Sequence, residues 1–267
     1  MKCMKLKLGI IALIFLAAVP ISIVIYYRLD PELLAKISFY LDLANPSVRI
    51  VKLTEGLRKE EVADLLSQKL DWSEGDKLAF LEFSRGTKNP EGQYFPKTYL
   101  IHKDEEPAKV GDLMFTEYRR AVEKAKPKSA SASVLNEENV LKIASLIQRE
   151  AAGKGDMALI SGILWNRVWS EMKLQVDATL QYAKGSEEND WWPSVSGKDR
   201  KIKSPYNTYL HDGLPPTPIS NPGTAAIYAA YHPAKTSCLF FLHDKNRQIH
   251  CTKTYEEHKK NIERYLK

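Results

Sequence analysis

The segment Leu8 to Tyr27, LGIIALIFLAAVPISIVIYY, carries no charged residue and constrains this chain more than any other feature. A helix rises about 1.5 Å per residue, so roughly 20 such residues reach across the hydrocarbon layer of a membrane. Lys2, Lys5 and Lys7 precede the run and favour a cytoplasmic N-terminus, which puts everything after Arg28 outside. A cleaved signal peptide is the alternative, because Ala17-Ala18-Val19 has the small-residue character of a cleavage site. Against it, the run stays apolar through Ile21, Ile23, Val24 and Ile25, and Tyr26-Tyr27 suit a membrane interface. Pro20 kinks such a span without forbidding it. The reading is a single-pass anchor: residues 1–7 a cytoplasmic tail, 8–27 a transmembrane helix, 28–47 a linker. Cys3 lies before the apolar run and so does not fit the acylated position of a lipoprotein.

The remainder of the 267 residues is enough for one sizeable core or two modest ones. The formal net charge of +6 invites a nucleic-acid partner. The lysines are scattered, however, and interrupted by Glu105-Glu106, Glu137-Glu138 and Glu187-Glu188, which describes a solvated surface. Outside a membrane, that surface meets anionic lipid or acidic wall polymer rather than nucleic acid. His232, His243, His250 and His258 fit no compact zinc spacing, and neither a Gly-rich phosphate loop nor a nucleophile elbow occurs. No metal and no cofactor is expected.

Periodicity and turn residues divide the outer part into three stretches. Residues 48–88 read as strand, helix, helix: SVRIVKL alternates, Leu57, Val62, Leu65, Leu66 and Leu70 hold helical spacing, and Ser73 caps a second helix. Residues 89–134 form an aromatic, Gly/Pro-punctuated connector followed by a helix and a small polar loop. Residues 135–267 contain nearly all the candidate chemistry. The expected fold class is α+β, with a C-terminal hairpin and helix on the larger mixed α/β domain.

Asn136 is placed to cap a helix on which Val140, Ile143, Ala144, Ile147 and Ala151 line one face. Glu150 falls at the border of that face, just before the glycine turn of Gly153 and Gly155. A border acid is most often the rim of a solvated face. A carboxyl group held against apolar neighbours instead resists ionising, and its raised pKa suits a general acid. A second helix is expected from Asp156, with Ile160, Ile163, Leu164, Val168 and Met172 in register. Asp177 reads either as a second catalytic carboxylate or, more simply, as the cap of the helix DATLQYA.

The stretch SPYNTYLHDGLPPTPISNPG, Ser204 to Gly223, sets Tyr206, Asn207 and Tyr209 on a proline-stiffened loop, with Asn221 as cap and Pro222 as first residue of a following helix. Tyrosine rings stack on pyranose faces and amides pair with hydroxyls, so the loop suits sugar; a purely structural loop is the alternative. In CLFFLHDKNRQIHC, a turn centred between Asp244 and Lys245 sets Cys238 directly opposite Cys251. They are either a disulfide or two separate buried thiols.

The segments EGQYFPKTY, IASLIQRE, ILWNRVWSEMKLQVDATLQYA, SPYNTYLHDGLPPTPISNPG, AAYHPAKTSCLFFL and KTYEEHKKNI together resemble the endolytic murein transglycosylases of the MltG/YceG type, in family order from about Glu91 to the C-terminus. The resemblance implies a LysM-like module at 48–88, a catalytic domain at 135–267, and an external enzyme on a single inner-membrane anchor. It implies cleavage of the MurNAc-β-1,4-GlcNAc bond inside peptidoglycan strands, giving 1,6-anhydro ends, beside cell-wall synthases. Glu150 takes the place of the catalytic acid, and Gln148 stands where some members carry a further acid. Gln175, Asp177, Tyr206, Asn207 and Tyr209 would line the sugar groove. Aromatic residues are common in the family where Cys238 and Cys251 stand here, and this joint departure favours a disulfide. Two rival readings remain: a muramidase-type hydrolase using Glu150 with Asp177, and a peptidoglycan-binding protein without turnover.

Overall fold

The computed structural model describes residues 31–83, 90–128, 136–188 and 190–267. The apolar run at 8–27 lies outside them; among the described residues no helix is long and apolar enough to cross a membrane. Two compact units divide at Val48. The first contains α1, Pro31–Ala44, which buries none of its residues and ends where Asn45-Pro46 turns the chain. Leu33, Ile37, Phe39, Tyr40, Leu41 and Leu43 are all exposed on it.

Among its described residues the second unit, from Arg49, has two hydrophobic clusters. The smaller one is built on β1 (Val48–Lys52), α2 (Lys59–Leu70) and α3 (Glu74–Glu82). Val62, Leu66 and Leu70 are buried at helical spacing, and Ser73 Oγ caps α3 by accepting from Asp76 N–H. The strand-helix-helix unit does not stop at residue 88. β2, Thr98–His102, lies within the expected connector and pairs with β1, burying Tyr99 and Ile101. Gly/Pro punctuation obscured a strand only five residues long. Helix α4, Pro107–Ala125, then packs on α3 and carries the chain to the second cluster, with Val110 and Met114 in one and Ala121 and Val122 in the other.

The larger cluster surrounds α5 (Glu137–Glu150), α6 (Met157–Trp169), α7 (Asp177–Lys184) and α8 (Thr224–Tyr231). Asn136 caps α5 by accepting from Glu138 N–H, and Ile143, Leu146 and Ile147 are fully buried, each worth about 1.5–3 kcal/mol. Helix α8 packs against α4, α5 and α6, which its alanines permit: Ala226, Ala229 and Ala230 keep its flanks thin. Gly162 of α6 is required by a close approach, since a Cβ there would lie 2.3 Å from the Ala234 carbonyl oxygen. Met172 is not on α6; the helix stops at Trp169, and Glu171 takes a left-handed φ of 53°.

The C-terminal hairpin pairs β3 (Phe240–His243) with β4 (Ile249–Thr252), and α9 (Tyr255–Tyr265) packs on both strands. Its register differs from the expected one: Cys251 faces Phe241, and Cys238 precedes the strand. The turn is centred on Asn246 because Asp244 Oδ1 accepts from the Asn246 and Gln248 N–H groups while Arg247 adopts a left-handed φ of 65°. The cysteines still meet, bonded with Cα atoms 5.8 Å apart.

Candidate active site

Glu150 ends α5, half-buried, and its carboxyl group is directed at the start of α7. Burial pushes it up to about 7. Against that push, the Ala178 N–H donates to it, and the neighbouring negative charge of Asp177 outweighs the positive Arg149 in raising it further. Ala178 is the second residue of α7, so the carboxylate form meets the positive end of a helix. The result is an acid that holds a proton near neutrality while its ionised form already has a donor in place.

Asp177 is not the cap. Val176 occupies that position, and its N–H is taken by Thr208 Oγ1, leaving Asp177 as the first helical residue, exposed beside Glu150. Its Oδ1 accepts from the Tyr209 hydroxyl at 2.6 Å. Tyr209 feels Glu150 as well as Asp177, and both, after burial, raise its pKa. Tyr209, Asp177 and Glu150 are thus brought together. Gln175 is exposed in a left-handed turn at φ 51°, its N–H donating to the Thr208 carbonyl.

Asn207 takes a different place. It is fully buried: Nδ2 donates to the Arg200 and Ile202 carbonyls, and Oδ1 accepts from Tyr209 N–H. Its amide is committed to holding the loop, with Tyr209 fixed at the far end. Tyr206 is half-buried, its hydroxyl 2.8 Å from Thr217 Oγ1 and its ring 4.7 Å from that of Tyr182 on α7. Asn221 does not cap α8; Gly223 does. Asn221 is buried as a junction, pairing through its backbone with Gly56 and Leu57 and accepting Tyr94 N–H on Oδ1.

Residues that the spacing does not single out hold Glu150 in place. On the N-terminal side, the Arg149 guanidinium lies 3.6 Å from the centre of the Trp192 ring, whose Nε1 donates to Glu61 of α2. Gln148 reaches the other way, accepting from Gly223 N–H and donating to Glu55. On the C-terminal side, Asp156 accepts the Ala152 and Gly153 N–H groups and bonds His243 Nε2 at 2.7 Å, while Arg247 donates to the Ala152 carbonyl. The glycine turn after the acid is thereby moored to the hairpin. No run of spacing announces such contacts, since each joins segments distant in sequence. Among the described residues no cluster of His, Cys, Asp or Glu is arranged to hold a metal. A cavity of about 530 Å³ lined by Phe115, Tyr118, Leu141 and Pro218 lies toward the other end of α5 and does not include Glu150.

The profile of the YceG-like family matches residues 26–264. An endolytic murein transglycosylase of Bacillus subtilis (strain 168) is 33% identical, over 81% of this chain and 65% of its own length. Another from Streptococcus pneumoniae serotype 2 is 29% identical, over 66% of this chain and 32% of its own. The chain therefore spans less than two thirds of these curated relatives. The solved structure of a yceG-like protein from Listeria monocytogenes superposes with a TM-score of 0.70 at 27% identity, covering 82% of this chain and 76% of that one. Matched along nearly its whole length and sharing this architecture, the chain belongs to the YceG-like family.

Proposed function

We propose that this chain is an endolytic lytic transglycosylase that cuts peptidoglycan strands between MurNAc and GlcNAc, with Glu150 as acid and then base. The observation that carries the reading is the carboxyl group itself: withdrawn from water, raised to about 7 by that burial, and met by the Ala178 N–H. The names of the Bacillus and Streptococcus relatives support the substrate. Protonated Glu150 gives its proton to the bridging oxygen as the C1–O bond breaks through an oxocarbenium-like state. The carboxylate left behind is stabilised by Ala178 N–H and takes the proton of the MurNAc C6 hydroxyl, which attacks C1 and closes the anhydro ring. Tyr209, Asp177, Tyr206 and Gln175 flank the groove; Asn207 supports it from beneath. Asp177 places negative charge near the developing cation.

The run at 8–27 anchors the protein in the cytoplasmic membrane with its catalytic part outside, near wall synthases, so that it ends growing strands. The βααβ arrangement of β1, α2, α3 and β2 supports a LysM-like reading of the small unit.

The proximity of Asp177 favours a second reading, hydrolysis with Asp177 as nucleophile or base. Digestion of purified glycan strands separates the two. Anhydro ends, lighter than hydrolytic ends by one water, support transglycosylation, and ordinary reducing ends support hydrolysis. Glu150→Gln keeps the shape without the acid and should lower cleavage by about 10²- to 10⁴-fold. Undiminished cleavage by that variant refutes the assignment.

A further inference from the structure

Residues 198–203, Lys-Asp-Arg-Lys-Ile-Lys, place four cations and one acid beside the candidate site, and none of the functional roles above uses them. Lys198, Arg200, Lys201 and Lys203 are exposed, and among the described residues none forms an ion pair. The single acid is consumed by the fold. Asp199 accepts from Ser196 N–H and Oγ and from Lys184 Nζ, which holds its carboxyl below the usual range and fixes the 3-10 turn Asp199–Lys201. From the other side, buried Asn207 grips the carbonyls of Arg200 and Ile202. The same Asn207 fixes Tyr209, and the Arg200 guanidinium lies 4.9 Å from the centre of the Tyr209 ring. A rigid cationic turn is thus built onto the tyrosine that bonds Asp177, one side chain away from Glu150.

We propose that this turn is a carboxylate-binding rim for the peptide side chains of the glycan, so that strands still bearing their peptides are cut faster than stripped strands. The inference rests on the peptidoglycan reading above. In that substrate the peptide hangs from the same sugar whose C1–O bond breaks, so its carboxylates emerge close to the acid. A cationic group serving phosphate polymer or lipid would have no reason to be fixed to Tyr209, the tyrosine that bonds Asp177 beside Glu150. Asp177 is already bonded by Tyr209, Asp212 is exposed, and among the described residues neither pairs with the turn. Exposed ion pairs are individually weak and screened by salt, so a few of them amount to roughly a three- to tenfold preference.

The test uses the 267-residue chain and one preparation of strands, half of it stripped of peptides by an amidase. The ratio of kcat/KM for the two substrates should be about three to ten, and should shrink between about 50 and 300 mM salt. In Lys198→Gln/Lys201→Gln/Lys203→Gln the ratio should fall toward one. A wild-type ratio near one, or a ratio unchanged in the variant, overturns the proposal. If the variant instead loses adhesion to anionic vesicles while the ratio stands, the turn serves lipid and the proposal fails. If neither strand is cut at all, the transglycosylase reading fails separately. Co-sedimentation of the chain with the two strand forms then still tests the rim, and equal retention overturns it.

Discussion

Glu150 combines two properties that a glutamate in water cannot have together: it is still protonated near neutrality, and its carboxylate has a donor waiting. Because the proposed reaction starts from the protonated form of Glu150, cleavage should decline as pH rises through about 7. Asp177→Asn removes a charge that raises the Glu150 pKa, so the alkaline limb of kcat/KM should move to lower pH. A limb that stays in place in that variant would show that the two carboxyl groups do not communicate. At this scale the sequence was half legible. The apolar stripe ending in Glu150 could be counted along α5, whereas the decisive donor is a main-chain N–H of α7 that no side-chain identity encodes. Asn207 shows the opposite limit: an amide on a tyrosine loop has the chemistry for sugar, yet burial turns it inward.

Helices were readable from the sequence where a cap and an apolar period agree, as at Asn136 for α5 and Ser73 for α3. Strands and turns were less so. β2 is short and follows proline and glycine, and the hairpin register is set by the Asp244 carboxylate rather than by the cysteines. The hairpin also supplies His243 and Arg247, which hold the turn after Glu150. The Cys238–Cys251 bond, spanning 13 residues, closes the base of this element, and loops of that length are worth about 3 kcal/mol when cross-linked. Cys238→Ser/Cys251→Ser, or treatment with a reductant, should therefore lower the unfolding midpoint by several degrees in scanning calorimetry. An unchanged midpoint, with free thiols in the untreated protein, would contradict the bond.

Across the described residues, the two hydrophobic clusters meet at a buried acid that neither the apolar run at 8–27 nor the stretch around Glu150 predicts. Glu91 is fully buried and accepts from Lys59 N–H on α2, from the Tyr182 hydroxyl on α7 and from Asn221 Nδ2. Burial, reinforced by Glu60, pushes it up to about 8 from the ordinary 4.5. The folded chain then keeps a proton that the unfolded chain has already lost, so stability falls as pH rises from about 4.5 to about 8. Glu91→Gln retains the shape and cannot titrate, so its melting midpoint should fall less over that range than the wild type's. Parallel midpoints for the two proteins would remove Glu91 as the cause. The resemblance carried by EGQYFPKTY marks Glu91 as part of a family segment, but only the three-way contact explains why an acid stands there. The neighbouring junction has a consequence in time. Asn221 Nδ2 donates to the Leu57 carbonyl across a separation of 164 residues, and its backbone pairs with Gly56 and Leu57. Closing so long a loop is unfavourable until structure on both sides exists to reward it. During refolding, the helices should therefore precede this clasp, and the setting of Gln148 and Arg149 against Gly223 and Gly56 beside it should be among the last parts of the chain to mature.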